Sequence, residues 1–85
     1  MTTEALLNER GKTHGSFAMN AHFSQALKSI MQSDGAGYAT MKAEHREALD
    51  QIALKLSRIL SGQANFKDHW DDVAGYAKLA SDACK

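Results

Sequence analysis

The sequence predicts an all-α domain, a compact bundle of four helices (one short, three longer) completed by homo-oligomerisation. Three observations carry this. Apolar residues recur at helical spacing through two long stretches, 17–32 and 42–61. No stretch alternates apolar and polar residues with period two, as a half-buried strand would. The 85 residues include no proline, and the six glycines fall where they punctuate helical segments.

The elements follow in order. Residues 3–9 read as a short helix closed near Gly11. Ser16 suits the N-cap of a second helix over 17–32, where Met19, Phe23, Ala26, Leu27, Ile30 and Met31 share a face opposite His22, Gln25 and Ser29. SDGAGYAT, residues 33–40, reads as a loop. The third helix, 42–61, carries the stripe Ala48, Leu49, Ile52, Ala53, Leu56, Ile59 and Leu60, and Gly62 stands where a C-terminal glycine belongs. After the loop GQANFKD, a fourth helix over 68–83 turns Trp70, Val73, Ala77 and Ala80 inward. Asp68 is its candidate cap, and Asp71 lies in the first turn, where negative charge suits the helix dipole.

Eighty-five residues make one domain, 1–85. A domain of this size buries only about 60% of its unfolded surface and usually needs a staple. The single cysteine, Cys84, offers no internal disulfide and no zinc-ligand spacing, which leaves helix packing and self-association. Leu54 and Leu79, each on the polar side of its helix, point the same way. Lys plus Arg equals Asp plus Glu at ten each, so specific DNA or RNA binding is not expected. No apolar run reaches the roughly 20 residues of a membrane span. The opening MTTEALLNER is acidic and amphipathic, unlike a signal peptide, so the expected location is the cytoplasm, with Cys84 reduced and packed as a small hydrophobe.

The chemistry-bearing candidates start with ERGKTHGSF, residues 9–17, which sets Arg10, Lys12 and His14 around two glycines just before a helix start. GKT alone is not a P-loop, because the required earlier glycine is replaced by Leu6 and what precedes is helical, not a strand. What remains is a cationic loop leading into a helix N-terminus, where free N–H groups and partial positive charge favour anions. Arg10 can fork onto phosphate and Lys12 supplies a point charge. A solvated connector fits the same residues. The third helix carries Glu47, Gln51, Lys55 and Arg58 as a polar line, either a solvated face or, where Lys55 borders the apolar stripe, the wall of a cleft.

Gly75 lies inside the fourth helix at a cost of about 1 kcal/mol relative to alanine, which close helix packing or a ligand against bare backbone would offset. Tyr76 and Trp70 are core edges or stacking platforms. Glu47 with Asp50, and Asp68 with Asp71, are two i, i+3 carboxylate pairs that would hold magnesium only if all four met. Histidines 14, 22, 45 and 69 form no ligand pattern, and His69 with Asp72 reads as part of a solvated face.

Three strings, ERGKTHGSF, HREALDQIALKLSRILSGQ and FKDHWDDVAGYAKLA, together resemble a family of small bacteriophage and prophage proteins defined only as a domain of unknown function. That family shows an R-G-K-x-x-G-like opening, K-x-x-R-I-L-x-G, and D-x-W-D-D-x-A-G-Y-A. It is more distantly similar to the all-α nucleotide pyrophosphohydrolases of the MazG and dUTPase type, helical oligomers that bind nucleotide phosphates through magnesium. Here the nearest counterparts of their carboxylates are Glu47, Asp50, Asp68 and Asp71, and the first acidic cluster is incomplete.

The resemblance implies a phage protein that binds a phosphorylated nucleotide without turnover. By analogy with phage proteins that block CBASS or Thoeris defence, the expected ligand is a cyclic nucleotide or ADP-ribose-type immune signal. In that reading Arg10 and Lys12 hold phosphate and His14 hydrogen-bonds or stacks. Lys55 and Arg58 add charge, Asp71 accepts from base or ribose, and Tyr76 packs on the base. The alternatives are a magnesium-dependent pyrophosphohydrolase and a module that inhibits a host enzyme.

Overall fold

The computed structural model describes residues 2–6, 16–33 and 36–84; among these there is no strand. The all-α expectation therefore holds. Residues 3–6 form a helical turn whose Ala5 N–H donates to Thr2 Oγ1 at 3.1 Å. Helix α1 spans Phe17–Ser33, and Ser16 caps it as expected: its Oγ accepts the Met19 N–H at 3.1 Å. The predicted loop at 33–40 instead contains a short helix, α2, Ala36–Thr40. Its Tyr38 hydroxyl donates to Asp50 Oδ1 at 3.0 Å, so a tertiary hydrogen bond anchors the turn in a glycine-rich stretch of low propensity.

Helix α3 spans Ala43–Arg58 and runs on into a wider turn, Ile59–Gln63. Gly62 ends that turn at φ +107°, backbone that L side chains rarely adopt. Helix α4, Lys67–Asp82, returns antiparallel along α3. It starts one residue before the Asp68 proposed as its cap. Phe66 holds the cap position and no side chain caps the helix, so Asp68 contributes only charge in the first turn.

Helix α3 is the centre. Helices α1 and α4 each pack along it and barely touch one another. The most buried positions are small or polar: Asn20 and Ser24 on α1, Ala48, Ala53 and Ser57 on α3, and His69 on α4. Small side chains let helix backbones approach closely, and Ser57 satisfies its hydroxyl within its own helix by donating to Leu54 O at 2.5 Å.

Two expectations about α4 are reversed. His69, placed on a solvated face by its sequence context, is 1% exposed and packs edge-on against Phe66 at 4.8 Å. Trp70, expected inward, is 50% exposed, and its indole N–H donates to Ala64 O at 2.8 Å. The Phe66 contact and the indole tether set the rotation of α4, and they come from the turn before the helix, not from its periodicity. Cys84, expected to be buried, is likewise exposed.

Gly62 and Gly75 differ in kind. A Cβ on Gly75 would meet nothing within 4 Å, so neither close packing nor any other described group offsets its cost. Gly75→Ala is expected to stabilise the fold by about 0.5–1 kcal/mol. Gly62→Ala also has room, but at φ +107° it should destabilise by about 1–2 kcal/mol. Urea midpoints of the two variants, moving in opposite directions, check both.

Candidate functional site

Among the described residues Lys55, Lys67 and Lys78 pair with carboxylates, while Lys28 and Arg58 do not. Arg10, Lys12 and His14 lie outside the described residues. Lys55 leaves α3 toward α4 and pairs with Asp72 at 2.9 Å, its own side chain largely buried. Its ammonium, hydrogen-bonded to the carboxylate, holds Asp72 below its ordinary pKa. Partial burial opposes this, and the nearby His69 and Arg58 add to it.

A depressed carboxylate contributes stability above the ordinary Asp range and loses it as pH falls through its lowered value. Lys55→Met is therefore expected to flatten the acid limb of a stability–pH curve measured from neutrality down to about pH 2.

Arg58, one turn further along α3, lines a different space. It borders a cleft of about 270 Å³ between α1 and α3, together with Asn20, Ser24, Gln25, Lys28 and Leu54. The cleft lining holds two cations, two amides and a hydroxyl, with no carboxylate. Among the described residues neither Lys28 nor Arg58 has an ion-pair partner. Phe17, the first residue of α1, sits at the same cleft, so the sequence that leads into it is GKTHGS. Leu54, expected on an outer polar face, is half-buried here as part of the wall. Two fixed positive charges beside neutral donors make a place for an anion with several oxygens.

The other named residues stand elsewhere. Asp71 is exposed and accepts from Lys67 at 2.6 Å. That contact raises the Lys67 pKa, first through the hydrogen bond and then through charge. Tyr76 borders a shallow apolar hollow with Glu44, Glu47, Ala48 and Leu79, where the two carboxylates disfavour phosphate.

The four-carboxylate set of the magnesium alternative does not assemble. Asp50 receives the Tyr38 hydroxyl, whose pKa it raises chiefly through that hydrogen bond. Glu47 receives the Gln51 amide at 2.9 Å, and Asp71 holds Lys67. No group of three or more metal-ligating side chains converges among the described residues. Asp68 and Asp71 are both exposed on α4.

Lys28, Asn20 and Ser24 were missed by the sequence reading. Asn20, Ser24 and Lys28 stand at i, i+4 and i+8 on α1, the spacing that Glu47, Gln51 and Lys55 share on α3. The apolar residues beside them drew the helix face elsewhere. No helix of the described residues is long and apolar enough to cross a membrane. Comparison with known protein families, with curated proteins and with solved structures finds no match to this chain.

Proposed function

We propose that the α1/α3 cleft binds the phosphate end of a nucleotide-derived ligand and that the protein holds this ligand without turning it over. The single observation that carries the reading is the pair of cations, Lys28 and Arg58, lining a cleft with amides and a hydroxyl but no carboxylate. At about 270 Å³ the cleft is at the small end for ligand pockets, enough for phosphate and sugar, while a base would extend past Phe17.

Arg10, Lys12 and His14 precede Phe17 in sequence, and in this reading Arg10 and Lys12 hold phosphate and His14 hydrogen-bonds or stacks. Arg58 keeps the role expected of it. Lys55 acts through Asp72 and steadies the Arg58 end of α3 without touching phosphate. The ligand class is a cyclic nucleotide or an ADP-ribose-type signal, and the biological role is that of a phage-derived sequestering protein acting against host defence.

The test is native mass spectrometry of protein taken rapidly from cells, followed by denaturation and analysis of what is released. A retained adduct carrying phosphate and absorbing at nucleobase wavelengths supports the proposal. Protein that emerges bare, and stays bare after incubation with ADP-ribose and cyclic dinucleotides, rejects it.

A further inference from the structure

The side of the layer away from the cationic cleft is apolar and open. Met19 and Ile30 on α1, Leu60 just past α3, and Trp70 on α4 are 47%, 60%, 57% and 50% exposed. They come from all three long helical segments. Met19 and Ile30 are three turns apart and so share one side of α1. Trp70 and Ala77 share one side of α4 in the same way, and Leu49, Ile52 and Leu60 one side of α3. These sides meet where α1 and α4 fail to close on one another. On the same side a hollow of about 430 Å³ lies between α3 and α4, walled by Leu49, Ile52 and Ala77 among others, with no lysine, arginine, aspartate or glutamate in its lining. A helical layer with one apolar side is stable only when a second layer covers it.

The surface of the whole chain is larger than a lone compact domain needs. The chain exposes 5922 Å². A compact monomer of 9.3 kDa exposes about 5,000 Å². The excess over the whole chain, about 900 Å², is of the order of the roughly 800 Å² that each partner contributes to a standard stable interface. The radius of gyration, 14.4 Å, likewise exceeds the roughly 12 Å of a compact domain this long. The formal net charge is zero, so two copies meet without self-repulsion. An uncharged lining needs no complementary charge pattern, and a two-fold interface can set the same patch against itself.

We infer that this face is the interface of a symmetric homodimer, in which two three-helix layers close one core and the cationic clefts remain outward. The inference rests on the apolar face alone and survives a failure of the ligand reading. The sole tryptophan reports on it. Sedimentation equilibrium should give twice 9.3 kDa, and Trp70 emission should shift to longer wavelength on dilution as the dimer parts.

Ile30→Glu should weaken self-association by about 100-fold or more, because it would bury a charge. Leu79→Glu should leave it unchanged: Leu79 is 63% exposed but belongs to the other edge of α4, with Tyr76. If Ile30→Glu fails to fold, contacts between isotope-labelled and unlabelled wild-type chains must still place Met19 and Trp70 across the interface. A wild-type chain that stays at 9.3 kDa up to about 100 µM, well above the Kd expected of such an interface, overturns the inference. So does a dimer broken by Leu79→Glu and not by Ile30→Glu, or stoichiometric capture of a different protein in place of the second copy.

Discussion

Arg58→Ala and Lys28→Ala are each expected to weaken binding of ADP-ribose by about 10–100-fold, and the double variant by more, because hydrogen bonds to charged groups contribute about 1.5–3 kcal/mol apiece. Far-UV circular dichroism should be unchanged: neither side chain has an ion-pair partner among the described residues, so neither is holding the helices together. The control is Lys67→Ala, which removes one positive charge from an exposed pair with Asp71 on another face. Calorimetric titration with ADP-ribose, a cyclic dinucleotide and pyrophosphate at two salt concentrations separates a built site from diffuse attraction, since exposed charges are screened within about 10 Å at 0.1 M salt. Equal losses for Lys67→Ala and Arg58→Ala would reject the cleft.

The largest stability loss is expected at His69. It is among the most deeply buried side chains described, lies where α4 leans on α3, and makes its ring contact with Phe66. His69→Ala removes that packing and leaves a cavity with neighbouring polar groups less well satisfied, a loss of about 2–4 kcal/mol. A domain of 85 residues has on the order of 4–13 kcal/mol in total, so the variant sits near the edge of folding. Trp70→Ala, a larger truncation in a residue half exposed in the protomer, should cost less when measured at protein concentrations that keep the chain monomeric. Urea denaturation of both variants ranks them, and the opposite order would show that α4 turns its tryptophan to the core.

The helices were legible because their signals are local. Ser16 and the 3.6-residue period placed 17–32 against an observed Phe17–Ser33, and 68–83 lies within a residue of Lys67–Asp82 at each end. Gly62 marked the end of the third helix, although the chain widens into a different turn before it gets there. The short helix at Ala36–Thr40 was not legible, because its anchor is Tyr38 on Asp50, twelve residues away.

Burial was read less well, for a physical reason. Periodicity says which side of a helix is apolar, not whether anything covers it. On α1 the residues buried against α3 are Asn20 and Ser24, while Met19 and Ile30 of the apolar stripe face outward. The site divides the same way. Arg58 was visible on a polar line. Lys28 shares its cleft only because α1 crosses α3 at that height, which no spacing within one helix encodes.

The last turn of α4 holds no basic residue of its own, yet its carbonyls are not left to water. Lys42 donates to Ala83 O, and His45 Nε2 sits 2.9 Å from Ala80 O. Both come from the start of α3, so cationic and polar donors from one helix neutralise the negative pole of another. Fraying at the end of α4 therefore requires the beginning of α3 to let go as well. In amide exchange or limited proteolysis these two ends, some forty residues apart in the chain, open as one unit.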